Sequence, residues 1–410
     1  MRVNKILKWS LVSIILAFFI YNFSLILSRP SFYQWDFKTF YYAAKAHASG
    51  LNPYGVTSLS QIAKKPVGFR FRYPPQTLLF FRPFSFFNLN TAYYLFLALK
   101  CCLLGGMFLL WTKIFLKREA DIWFYPFALL AFNTSIFVDI AAGNISIFEQ
   151  FGLWLGFFFL LKRRLFLFCL AIVLIANFKI TPLFFLILLL FINDKKKYLY
   201  FFGSLLTFGL IQSFYYFSSP LYQDFLIFGS RLEKGWGNPS SFSLLRNLIS
   251  GLAHLTGQAT FSVLHVGIYA VFAAAVLVIS WRAVIALKSV FPTSEVDRER
   301  IMILLACLAY AVVVPRFIAY SQMILIVPAY FVLKRFLSGM EGVLLFLLIA
   351  FQTPQHSGMP GMDQVLDFIW TYYSVLLGLG LLIVFLLRIF RSRKEGTSLF
   401  VPPTPPEPAS

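Results

Sequence analysis

Long apolar runs, each closed by a short lysine and arginine cluster, repeat along this chain from end to end. Charge clusters and turn residues divide it into about twelve such segments, at 7–27, 91–115, 122–139, 145–161, 165–177, 180–193, 198–217, 261–284, 301–315, 319–335, 341–354 and 367–390. The pattern predicts an all-α polytopic membrane protein with about 12 transmembrane helices. The distribution of basic residues tests that count. If the N-terminus lies inside, the inner connections are Lys117-Arg118, Lys162–Arg164, Asp194–Lys197, Lys288 to Arg300, Lys334-Arg335 and the tail from Arg388 to Lys394. All are basic, as cytoplasmic connections are, and an even number of spans puts both basic termini in the cytoplasm.

One stretch strains this scheme. Lys162–Arg164 and Lys195–Lys197 both favour the inner side, so residues 165–193 must turn back at Asn177-Phe178-Lys179-Ile180-Thr181-Pro182. Pro182 suits the first turn of a new helix. Two spans this short need protein packing or a thinned bilayer. The outer connections differ in size, and two are long, at 28–90 and 218–260. Short helices lying at the interface are expected there. Residues 1–393 read as one transmembrane domain, and the Pro-rich 394–410 as a disordered cytoplasmic tail.

Within the first long connection, Trp35 to Tyr54 reads WDFKTFYYAAKAHASGLNPY. A short helix is expected, with Asp36, Phe40, Ala44 and His47 on one side. Gly50 ends it and Asn52-Pro53-Tyr54 turns the chain. Asp36 has two readings. It caps this interfacial helix, or it is a general base aimed into an outward cavity, accepting a proton from a sugar hydroxyl. A capping contact would also fix the side chain, so the two are compatible.

Composition adds the class and removes some functions. The chain of 410 residues is 59% hydrophobic and 13% charged, with 51 Phe, and its mean hydropathy is +0.76. No soluble domain needs so much apolar surface. The net charge of +20 sits mostly in the inner clusters, where it orients helices and meets anionic lipid, so nucleic acid is not the expected partner. Cys101, Cys102, Cys169 and Cys307 all lie in apolar runs and are expected to pack as small hydrophobes. The histidines lack paired spacing, so no metal site is expected. No nucleotide-binding motif is seen on a cytoplasmic segment.

Basic residues on the outer side go against the usual bias and are informative. FRFRYPP at 69–75 carries Arg70 and Arg72 among aromatics, either snorkelling or capturing phosphate. Lys179, at the outer helix break, needs water or an anion. Arg246, in the second long connection, and Arg316, at the outer end of two spans, complete the cationic set. Glu149 lies inside an apolar run, facing a cavity or wet at the surface. Tyr41, Tyr73, Asn144, Asn238 and Tyr320 are the candidate substrate contacts on these segments.

The ordered set WDFKTFYYAAKA, NPY, FRYPP, GNIS and NFKITP, followed by NPSSFSLLR and PRFIAY…VPAY, resembles glycosyltransferase family 87. The resemblance implies a GT-C fold, a polyprenyl-phosphate-mannose donor, transfer at the outer face and no metal. It also implies that Asp36 matches the family's essential aspartate in the first outer loop. The sequence departs from the family where Ser321-Gln322 replace paired histidines and where Asn144 follows Gly143 in place of glutamine, leaving the sugar and acceptor unspecified. The expected enzyme is a multi-pass plasma-membrane glycosyltransferase. Its expected partners are a lipid-linked sugar donor, a glycolipid or glycan acceptor and membrane lipid. A lipid or sugar transporter is the alternative, but the chain lacks the duplicated halves and mid-membrane polar groups of that class.

Overall fold

The computed structural model describes residues 5–396 apart from 31, 230–236, 257–260, 292–293, 338 and 351–359. The chain is helical, with no strand among the described residues. By its internal contacts it divides into two compact units, Met1–Glu233 with Ala319–Met323, and Lys234–Ile318 with Ile324–Ser410. The tail expected to be disordered lies almost wholly outside the described residues.

The first unit runs through α1 (Lys5–Ser28), α2 (Trp35–Ala48), α3 (Val56–Ala63) and α4 (Thr77–Phe81), then a 3-10 turn at Arg82–Phe86. Next come α5 (Leu89–Leu110), with a π-helical extension, α6 (Phe124–Ala142), α7 (Ser146–Leu161) and α8 (Leu165–Ala176). A 3-10 segment at Thr181–Phe191 leads to α9 (Lys197–Ser218) and α10 (Leu221–Gly229). The second unit comprises α11 (Ser241–Thr256), α12 (Phe261–Val290), α13 (Glu295–Val313), α14 (Ile326–Arg335), α15 (Gly339–Ala350) and α16 (Pro360–Glu395).

Every expected span overlaps a helical element among the described residues, but the count of twelve is not reached by length and apolarity. Five helices among the described residues qualify, within Trp9–Ser28, Leu89–Glu119, Phe124–Ala142, Leu264–Val290 and Val365–Glu395. The break before Thr181 lies where expected. The segments on either side are α8, roughly 18 Å long at 12 residues, and 11 residues of 3-10 helix, roughly 22 Å. Each falls short of an apolar layer of about 30 Å. α9 has the length, but its Tyr, Ser and Gln residues dilute its apolarity, and α13 begins with the charged Glu295–Arg300. The chain is nonetheless a membrane protein by its surface. Large apolar side chains such as Leu199, Phe202, Leu206, Leu210 and Phe217 on α9 point outward, the reverse of a soluble helix. Cys169 and Cys307 are buried as expected, but Cys101 and Cys102 are exposed on α5.

Aromatic packing fixes α2 in the first unit. Phe37, Phe40, Tyr41 and Ala44 form its buried face, at helical spacing. The Phe37 ring stacks on Phe96 of α5 at 4.7 Å, and Phe96 stacks in turn on Phe148 of α7 at 5.2 Å. Phe40 stacks on Phe81 of α4 at 4.6 Å. Each contact of this kind contributes about 0.5–1.5 kcal/mol beyond the buried area. His47, expected on the same side, is exposed instead, in the last turn of the helix. Beyond it Gly50 is left-handed and the Asn52 side chain accepts from the Tyr54 amide at 2.9 Å, making the expected turn. On the other side of α7, Gly152 and Gly156 let α8 approach, since a Cβ at Gly152 would lie 2.6 Å from Ile175.

The turn between α6 and α7 is the tightest point in this packing. Gly143 is left-handed at φ +68°, and a Cβ there would lie 2.3 Å from Gln34 Oε1 and 2.7 Å from Phe37 Cβ. Both the backbone and the space demand glycine. Gly143→Ala is therefore expected to destabilise the protein by about 2–4 kcal/mol, read as a lower melting temperature of the purified protein in detergent. An unchanged melting temperature would show that α2 does not press on this turn.

Candidate functional site

The site grows from the way α2 begins. Gln34, left-handed at φ 73° and 2% exposed, precedes its first turn. Its amide N–H donates to the Ala141 carbonyl at 2.8 Å and its side-chain amide donates to the Ile140 carbonyl at 2.9 Å. The last turn of an α-helix leaves carbonyls without partners, and Gln34 takes two of those of α6. The first turn of α2 is thereby held against the 139–146 turn. Because the helix starts at Trp35, the cap position belongs to Gln34 and not to Asp36. The capping reading of Asp36 is corrected: the residue sits inside the first turn, near the positive end of the helix dipole.

Asp36 faces the turn. Asn144 donates its side-chain amide to Asp36 Oδ2 at 2.6 Å. Tyr320, in a 3-10 segment at Ala319–Leu325, hydrogen-bonds the same carboxyl group and is itself bonded to the Trp35 side chain. Burial pushes the Asp36 carboxyl up to about 6, and the nearby Asp139 carboxylate adds to the rise. Bonds from Asn144 and Tyr320 and the charge of Lys100 pull the other way. The outcome is a carboxylate that ionises just below neutrality, the range of a general base.

Behind Asn144 lies a connected set of polar groups. Lys100 on α5, 1% exposed, pairs with Asp139 Oδ1 at 2.5 Å. Its ammonium also donates to the Asp139 carbonyl at 2.7 Å and to the Asn144 carbonyl at 2.8 Å. Asp139 Oδ2 accepts from the Ser146 amide at 3.1 Å, at the start of α7. The Asn144 carbonyl oxygen of the side chain accepts from both the amide and the hydroxyl of Ser146, at 3.1 and 2.9 Å. Lys179 donates to Ser146 Oγ at 3.2 Å and to Glu149 Oε2 at 2.6 Å. The anion that Lys179 meets is thus Glu149, and the apolar-run carboxylate is a buried, paired group. An ammonium has three donors; these two contacts leave Lys179, 21% exposed in its side chain, one more.

The remaining candidates divide. Tyr41 is 2% exposed, with its hydroxyl donating to the Phe87 carbonyl at 2.8 Å. Tyr73 is half-buried, its ring edge-on to Phe40 and its carbonyl accepting from Tyr54 at 2.6 Å. Arg70 is exposed with its guanidinium 4.8 Å from the Phe228 ring centre, and Arg72 is half-buried. In the second unit Asn238 is fully buried. It donates to the Pro315 carbonyl and accepts from the Phe317 amide, both at 2.9 Å. Asn238 is therefore a clamp on the loop bearing Arg316. Arg316 and Arg246, the latter on α11, are each half-buried. Gln34 and Lys100 were not singled out from the sequence. A lysine inside LALKCCLL was the available signal for the second; nothing marked the first.

Comparison with known proteins gives one result. The family model for glycosyltransferase family 87 matches residues 71–314. The match includes Lys100, the 139–146 turn, Lys179, Asn238 and Arg246, and begins after Asp36. No curated protein and no solved structure matches the chain. The family match covers more than half of the sequence, and its apolar helices carry the membrane character such an enzyme requires. The chain belongs to glycosyltransferase family 87 and is a membrane glycosyltransferase.

Proposed function

We propose that the protein transfers a hexosyl group, mannosyl by its resemblance, from a polyprenyl-phosphate-linked donor to a hydroxyl of a glycolipid or glycan. In this reading the fold is of the GT-C type. The reaction takes place at the extracytoplasmic face of the cell membrane, with both termini in the cytoplasm. The observation that carries it is the Asp36 carboxyl, half-buried, bonded by Asn144 and ionising near 6. A group so held can accept a proton at neutral pH without leaving its position.

The steps follow from ordinary glycosyl chemistry. The acceptor oxygen attacks the anomeric carbon as Asp36 takes its proton. The bond from that carbon to the phosphate oxygen breaks, and both electrons leave with the lipid phosphate. Attack from the opposite face inverts the anomeric centre, so a β-linked donor gives an α-linked product. Cations that meet the phosphate stabilise the charge it gains. Lys179, with one donor to spare, and the half-buried Arg72 suit that task in the first unit, with the exposed Arg70 further out. Arg246 and Arg316 are the candidates in the second. Tyr73, Asn144 and Tyr320 would orient the sugars. A lipid phosphate leaves readily, so the reaction as written calls on no metal.

Purified protein incubated with labelled polyprenyl-phosphate-mannose and glycolipid acceptors should form a labelled glycolipid. Asp36→Asn should lower transfer by about 10²–10⁴-fold while donor affinity stays unchanged. Transfer by the variant at the wild-type rate would refute the role of Asp36, and absence of transfer by both would favour a transporter. Arg246→Glu is expected to weaken donor binding by about tenfold or more, measured by titration with the lipid-linked sugar. Equal affinity in the variant would remove Arg246 from the phosphate site.

A further inference from the structure

A fully buried lysine in a membrane-spanning helix calls for an explanation. The Lys100 ammonium, 1% exposed, donates to the Asp139 carbonyl at 2.7 Å and the Asn144 carbonyl at 2.8 Å and forms an ion pair with Asp139 Oδ1 at 2.5 Å. Stability alone explains it poorly, since a well-packed apolar pair is commonly as stable as a buried ion pair. What the pair achieves is geometric. Its ammonium joins the two ends of the turn that reverses the chain from α6 to α7. Asp139 in turn caps the start of α7 through the Ser146 amide at 3.1 Å.

The consequence reaches Asn144. Its backbone carbonyl is pinned by Lys100, and its side-chain oxygen is occupied by two donors from Ser146. The amide cannot flip without losing both, so its nitrogen must face Asp36 Oδ2, 2.6 Å away. On the opposite side of the same turn, Gln34 holds the Ile140 and Ala141 carbonyls. α2 and α5 therefore grip one turn from two sides, and Asp36 and Asn144 meet between them.

We propose that Lys100, with Asp139, is a positioning residue: the pair sets the 139–146 turn so that the Asn144 amide meets the Asp36 carboxylate. This rests on Asp36 serving as the base proposed above. Neither residue touches the reacting groups; their charges act on Asp36 in opposite directions, and the contact they set acts through Asn144.

Two variants test it in the full-length protein, with polyprenyl-phosphate-mannose as donor and octyl mannoside as acceptor. Lys100→Met with Asp139→Asn removes both charges at similar volume. Lys100→Arg keeps the charge, but its longer planar fork cannot reproduce three contacts from one nitrogen. Each should lower kcat at least tenfold and leave the donor KM within twofold. Repeated in an Asn144→Ala background, the same changes should cost less than twofold, because the contact they set is already gone. Wild-type kcat in folded Lys100→Arg, or losses that simply multiply with that of Asn144→Ala, would overturn the proposal. If the charge-neutral pair does not fold, Lys100→Arg decides by the same two criteria. An active Asp36→Asn would instead sink the base assignment itself. An inactive Asp36→Asn beside normal Lys100 variants would sink only the positioning role.

Discussion

The hydrogen bond from Asn144 to Asp36 joins two parts of the chain 108 residues apart, and it exists only while the 139–146 turn keeps its shape. That turn is short, carries a left-handed glycine and lies between two helix ends whose backbone groups need partners. Gln34 satisfies carbonyls at the end of α6 from one side and Lys100 does so from the other. Asp139 and Asn144 satisfy the start of α7. The same bonds that complete the helix ends also aim the amide. Capping and the geometry of the candidate site are here one set of contacts.

The ionisation of Asp36 depends on this arrangement as well. Burial raises the carboxyl and the Asn144 bond lowers it. Without burial the group would be a weak base at neutral pH, and without its donors its pKa would lie higher still. The turn provides one donor through Asn144, and Tyr320 provides the other. Lys100 of α5, Asp139 of α6, Asn144 of the turn and Tyr320 each act on that balance.

Much of this was legible in the chain. The apolar runs, the helix from Trp35, the turn after Gly50 and the break before Thr181 were all marked by periodicity, glycine or proline. Of the motifs that carry the family resemblance, FRYPP, GNIS, NFKITP and NPSSFSLLR lie within the matched region, and the motif bearing Asp36 lies before it. Other features left no local sign. Tyr41 and Asn238 are polar residues in suggestive motifs, and each holds backbone groups 46 to 79 residues away, which no local pattern reveals. The span count exceeded what helix length supports because a basic cluster marks a turn without saying whether the preceding segment crosses. α6 is interrupted at Phe132, Asn133 and Thr134, all left-handed, although no Gly or Pro marks the place. Gln34 and Lys100 matter through distant carbonyls, so only the folded chain could identify them.

The central claim is that Asp36 is a base whose ionisation the Asn144 amide tunes. The most direct measurement is the pH dependence of kcat/KM for transfer, in the wild type and in Asn144→Ala. The account predicts an acid limb with its midpoint near 6, and a midpoint displaced to higher pH in the variant, since a donor to the charged form has been lost. A limb at the ordinary carboxylate value, or one that stays in place when Asn144 is truncated, would contradict it.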